Sequence, residues 1–206
     1  IYKRTFSKYQ EGLQPDIGFK RRYLTAERAP QRRFVMFKLT STAVDNGRLD
    51  IRYGINSDDA SMIEEGIPQI SFPFEWSGEP EGTKSYAIEY MDYDNAEDEG
   101  VIWIHWIAAG IPADKHEFAE GEASGTDIIQ GHNSWALPYG PYEHIPDKYK
   151  TGYGGPAPGR CHTYELTIYA LDNVSELKDG FFYADMRNSI EGHILDKAVL
   201  KMKYGG

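Results

Sequence analysis

The chain has 206 residues, 40% hydrophobic and 14% aromatic, which suits one β-rich domain with a sizeable core and excludes a disordered chain. Its formal net charge of −10 argues against general nucleic-acid binding, which depends on neutralising phosphates with Lys and Arg. No run approaches the roughly 20 apolar residues that a membrane helix needs, so no transmembrane segment is expected.

The charge is uneven along the chain. Residues 1–38 hold 10 Lys or Arg against 3 Asp or Glu, a balance of +7, and the remainder stands at −17. Residues 1–33 are basic and weakly periodic and read as an N-terminal extension before a domain over 34–206. This arm suits packing on its own domain, docking on an acidic partner or anionic surface, or a homodimer contact. Ile1-Tyr2-Lys3-Arg4 has no apolar h-region, so no signal peptide is expected. The single cysteine, Cys161, has no internal disulfide partner, and a reducing cytoplasm is the simplest compartment.

From Arg33 the pattern turns strand-like, with Phe34, Met36 and Lys38 alternating with Val35, Phe37 and Leu39. Asp45-Asn46-Gly47 predicts a reversal, since Asn and Gly tolerate positive φ. A strand-like Leu49–Tyr53 follows, then a polar loop over 56–66. Ile70–Trp76 predicts a strand whose Pro73 marks an edge or the end of pairing. After the turn at 77–83, Ser85–Met91 and Val101–Ala108 read as strands. Glu117–Thr151 is aperiodic, and its Trp135, Tyr139, Tyr142 and Tyr149 suit an ordered lid. In the next strand, His162, Tyr164, Leu166 and Ile168 share one face. Phe182, Met186, Ile190 and Ile194 predict a helix over Phe181–Leu195, and Ala198–Tyr204 closes as a strand. Strands do not alternate regularly with helices, so the chain is mainly β, a sandwich or barrel-like sheet with a peripheral helix, and not a doubly wound sheet.

Four segments could carry chemistry: Asp92-Tyr93-Asp94, His105 within Trp103–Trp106, the turn Gly154-Gly155-Pro156-Ala157-Pro158-Gly159, and Cys161-His162-Thr163-Tyr164. Taken singly each has an ordinary reading: strand-end aspartates cap turns, a lone histidine among tryptophans is a satisfied core residue, and Cys161 packs as a small hydrophobe.

Together with Phe72-Pro73-Phe74-Glu75-Trp76-Ser77-Gly78-Glu79-Pro80-Glu81-Gly82-Thr83, Ile111-Pro112, Gln130–Ser134 and Gly192–Leu195, they resemble the phosphatidylethanolamine-binding proteins. The similarity is to the bacterial, Raf-kinase-inhibitor-like branch and runs over about 34–204. It implies an antiparallel β-sandwich with peripheral helices and a pocket for a phosphate-like anion or phosphoryl ligand. By position it implies ligand-binding roles for Asp92, Asp94, His105, Gly154, Gly155, Pro156, His162 and Tyr164. It also implies a non-enzymatic protein, since family members include regulators of kinases and proteases, and hence a protein partner.

Within that pocket His and Tyr donate hydrogen bonds, the Gly154-Gly155 amides are expected to add neutral donors, and Asp92 is expected to orient a histidine and favour its charged form. The chain departs from the family's Asp-Pro-Asp at Tyr93, has no second Pro in Asn95–Asp98, and carries Thr163 where a basic residue is usual. Two other readings use the same residues. A hydrolase could employ Asp92, His105 and His162 as acid–base groups with Cys161 as nucleophile, although no nucleophile elbow is found. A metal-dependent enzyme could coordinate zinc through Asp92, His105 and His162, although no His-x-x-x-His or paired-Cys spacing exists. No cofactor or metal is expected.

Overall fold

A computed structural model describes residues 36–125 and 128–206. The basic extension expected over 1–33, and the strand start at Phe34 and Val35, lie outside the described residues. In chain order the strands are β1 (Lys38–Thr40), β2 (Val44–Asp45), β3 (Arg48–Leu49), β4 (Ile63–Glu64), β5 (Ile67–Pro68), β6 (Phe74–Ser77) and β7 (Ser85–Asp92). Helix α1 (Asn95–Glu99) precedes β8 (Trp103–Pro112), β9 (Glu117–Phe118), β10 (Ile129–Gln130) and β11 (His162–Leu171). Helix α2 (Tyr183–Ile190) and β12 (Ile194–Tyr204) complete the chain.

The strands form a three-stranded sheet, β1-β6-β9, and a seven-stranded sheet, β10-β8-β7-β11-β12-β3-β2, with β4 and β5 pairing apart. The expected β-sandwich is present, and every ladder is antiparallel except where β3 meets β12 in parallel at Arg48 and Lys203. Between the sheets lies an aromatic core: Phe74, Trp76 and Phe118 from the small sheet against Tyr86, Tyr90, Trp106, Tyr164 and Leu166 from the large one. Phe74 and Phe118 stack with ring centroids 5.1 Å apart. The opposite face of the large sheet buries Ala87, Ile107, Ala109 and Leu171 under Phe181 and the α2 residues Met186 and Ile190. All eight residues of β7 are therefore buried, as in a central strand covered on both faces.

Local chemistry sets the boundaries. Asn46 and Gly47, at φ 47° and 74°, close the β2–β3 hairpin as a two-residue loop. Glu65 and Gly66, at φ 49° and 81°, close β4–β5 the same way, so part of the loop expected over 56–66 is a hairpin. Pairing in the Ile70–Trp76 stretch starts only at Phe74, after Pro73. The helix expected over Phe181–Leu195 is shorter. It begins after Phe182, whose N–H donates to Asp185 Oδ2 at 2.9 Å, and it ends before Gly192, at φ 79°. Ile194 and Leu195 already belong to β12.

The topology gathers the candidate residues. Strand β7 lies between β8 and β11 and is antiparallel to both, so its last residue adjoins their first ones: Asp92 is paired with Trp103 and with Tyr164. The β7–β8 register shifts between Tyr90 and Met91, whose partners are Trp106 and Ile104. His105 is thus the extra residue of a β-bulge, and the bulge turns both His105 and Trp106 toward the inner core.

Candidate functional site

Asp92, His105, His162 and Tyr164 converge at this end of the large sheet, and all four are buried. The bulge leaves the His105 backbone without a partner on β7. Its carbonyl accepts from the Gly154 N–H at 2.9 Å, and its Nδ1 lies 2.7 Å from the Gly154 carbonyl, to which it donates. The ring stands 5.2 Å from those of Tyr90 and Tyr164. Burial pushes the His105 pKa down to about 4, against smaller opposing effects of the Gly154 backbone and Asp92. His105 is therefore neutral at ordinary pH, with Nδ1 protonated and Nε2 an acceptor. His105 is thus not the histidine whose charged form Asp92 is expected to favour: the desolvation cost of a buried imidazolium outweighs the help of Asp92.

Asp92 orients the other histidine. Its Oδ2 lies 2.7 Å from His162 Nδ1, and its Oδ1 accepts from the Asn95 N–H at 3.1 Å, capping the entry to α1. His162 Nε2 meets a second carboxylate, Asp98 Oδ2, at 2.7 Å. Asp98 Oδ1 accepts from Arg160 Nε at 3.0 Å, and Glu97 from Arg160 Nη2 at 3.1 Å. The Arg160 guanidinium holds the Asp98 carboxyl below its usual range, with His162 adding to that effect. Asp94 stands apart from the cavity: its Oδ2 accepts from the Thr163 N–H at 2.8 Å and ties the β7 end to β11.

The glycine turn differs from expectation. The Gly154 N–H is spent on His105, the Gly155 N–H donates to the Pro68 carbonyl at 2.8 Å, and the Pro156 carbonyl accepts from the Ile55 N–H at 2.8 Å. These groups pin the turn and leave neither amide for an anion. The glycines are needed for close approach: a Cβ on Gly154 would stand 2.7 Å from Trp135 Nε1, and one on Gly155 2.9 Å from Pro68 Cβ.

A cavity of about 60 Å³ opens here, lined by His105, Tyr164, Trp103, Trp135, Glu99 and Pro158 among others. Trp103, Trp135 and Tyr142 form an edge-on aromatic wall, with Trp103 5.0 Å from each of the other two rings. Tyr142 is held by a 2.6 Å hydrogen bond from its hydroxyl to Glu99. The segment over 117–151 thus supplies part of the wall, through Trp135 and Tyr142. Two side chains that line this cavity carry a buried donor without a partner: the Tyr164 hydroxyl and Trp135 Nε1. Burial raises the Tyr164 phenol well above its ordinary pKa, and the Asp92 carboxylate adds to this by its charge and by its close approach to the hydroxyl. Larger hollows, of about 210 and 250 Å³, lie beside Phe74 and Phe118 and beside Arg48 and Tyr204, and none of the expected site residues lines them. Among the described residues, no group of three His, Cys, Asp or Glu side chains is placed to hold a metal ion.

Sequence reasoning singled out neither Glu99 nor Trp103 nor Pro158 as a wall residue, nor Asp98 as a partner of His162. The acidic run Glu97–Glu99 was the available signal, because nothing local neutralises it.

The fold agrees with the comparisons. A family model described as phosphatidylethanolamine-binding protein matches residues 40–205, and the chain belongs to that family. The Bacillus subtilis (strain 168) protein YxkA is 35% identical over 147 residues, 70% of this chain and 86% of that protein. YbhB of Escherichia coli (strain K12) is 36% identical over 105 residues, 50% of this chain and 60% of that protein. The crystal structure of CT736 from Chlamydia trachomatis, a phosphatidylethanolamine-binding protein homologue, superposes with a TM-score of 0.66 at 27% identity, covering 84% of this chain and 99% of that one. Escherichia coli YbcL shares the fold, with a TM-score of 0.63, 82% of this chain and 98% of that one covered, and 23% identity.

Proposed function

We propose that this chain is a non-enzymatic binding protein whose cavity receives a phosphate-like anion or the phosphoryl group of a small ligand. The observation that carries the reading is the pair of buried, unpartnered donors, Tyr164 O–H and Trp135 N–H, on one small cavity. A buried donor without a partner costs about 1–3 kcal/mol, so two of them on side chains that line one cavity favour a ligand that brings acceptor oxygens. Neutral donors suit an oxyanion that must enter past Glu99 without a buried cation. Membership of the family supports the same class of ligand.

The hydrolase alternative lacks an activated nucleophile. His162 is engaged by two carboxylates and His105 by a backbone carbonyl, so neither imidazole is hydrogen-bonded to a hydroxyl or thiol among the described residues. Modulation of a protein partner and residence in the cytoplasm belong to the same proposal and rest on the family alone.

Calorimetric titration of inorganic phosphate and phosphoethanolamine into wild type and Tyr164→Phe tests the reading. Saturable binding is expected, weakened about tenfold or more by loss of one hydroxyl donor to a charged acceptor. No saturable heat with either compound would contradict it.

A further inference from the structure

Asp98 bridges two donors beside the site. Its Oδ2 lies 2.7 Å from His162 Nε2 and its Oδ1 3.0 Å from Arg160 Nε, so one carboxylate spans an imidazole and a guanidinium. That donor pair is what a phosphoryl or carboxylate group from solution would also seek. His162 is fixed for the task, since Asp92 holds Nδ1 at 2.7 Å and the side chain is 2% exposed. Asp98 is not: its side chain is 37% exposed, on the last turn of a five-residue helix that ends at Gly100, φ 78°.

We propose that His162 and Arg160 form an oxyanion subsite which the chain fills with its own Asp98, and that a phosphoryl ligand gains this subsite by displacing that side chain. The inference rests on the binding function proposed above and assigns its competitor. Helix α1 links the two halves of the site, because Asn95 and Glu99 line the cavity while Asp98 covers His162. Tyr164 adjoins both halves: its ring lies 6.4 Å from that of His162, and its side chain lines the cavity. Displacement exchanges one anion for another between the same two donors, so no buried charge is left unpaired. The tethered carboxylate lowers apparent affinity by the fraction of time it occupies the subsite, and ligands with a single weak acceptor are rejected in favour of those bearing a full charge.

The test is calorimetric titration of inorganic phosphate into the full chain as wild type, Asp98→Ala, Asp98→Asn and Asp98→Ala with His162→Ala, each checked for native circular dichroism. Asp98→Asn preserves the shape should Asp98→Ala fail to fold. Phosphate is expected to bind about tenfold or more tightly to Asp98→Ala, with a smaller gain in Asp98→Asn and the gain lost in the double variant. Addition of phosphate to Asp98→Ala is also expected to shift the His162 ring resonances in nitrogen NMR. Equal affinity of wild type and Asp98→Ala, with both weakened by Tyr164→Phe, would overturn the inference and leave the binding function standing. Absence of saturable binding in every folded variant would overturn both.

Discussion

His105 shows how one extra residue in a strand changes a side chain's chemistry. The bulge places it beside Tyr90 and Tyr164, and burial brings its pKa to about 4. As pH falls below the ordinary value of 6.5, the unfolded chain takes up a proton there and the folded chain does not. Stability is therefore complete above about pH 6.5 and drains away as pH falls towards the folded value, by about 3 kcal/mol in all. Urea unfolding at about pH 7 and about pH 5 should show a loss of about 2 kcal/mol that is absent in His105→Asn. The same loss in the variant would assign it to other groups. The candidates Asp92, His105, His162 and Tyr164 were legible in the sequence because strand alternation and a specific motif order mark them. What was not legible is where their polar atoms go. The Gly154 and Gly155 amides looked free for an anion, but their acceptors are the His105 and Pro68 carbonyls, 49 and 87 positions away, and no local pattern encodes such pairings.

At the scale of elements, punctuation residues were read well and their exceptions poorly. Asn46-Gly47 closes a hairpin in the expected way, and Pro73 marks where pairing begins. The β4–β5 hairpin was missed because its first turn position is Glu65, held at φ 49° where Asn or Gly is usual. Two backbone pairings, Ile63 with Pro68 and Glu64 with Ile67, impose the turn on a residue that does not favour it. Glu65→Asn should then stabilise the protein by about 0.5–1 kcal/mol in urea unfolding, by relieving left-handed backbone strain. Loss of stability would show instead that the Lys148 ammonium, 2.5 Å from Glu64 and 3.7 Å from Glu65, depends on both carboxylates. The helix over Phe181–Leu195 was drawn too long for a related reason. Ile194 falls on the helical period but follows Gly192, and the edge of β11 recruits it.

Across the whole molecule, strand order left a sandwich or a barrel-like sheet open, and the family resemblance narrowed it to the sandwich, because a run of strands without regular helices has few ways to bury both faces. The acidic balance of the chain bears on the pocket: an anion must reach a site rimmed by Glu97, Asp98 and Glu99, with Arg160 already engaged. Such a site selects by fixed donors in a small space more than by electrostatic attraction. The direct test of phosphate binding at Tyr164 is the melting temperature of wild type and Tyr164→Phe, each with and without saturating inorganic phosphate. Phosphate is expected to raise the wild-type Tm, and Tyr164→Phe to melt at the same or a higher temperature without phosphate and to gain less from it, because an unpaired buried hydroxyl is removed along with a ligand contact. A Tyr164→Phe variant that melts lower yet responds to phosphate as wild type does would mean that the hydroxyl serves the fold and not a ligand.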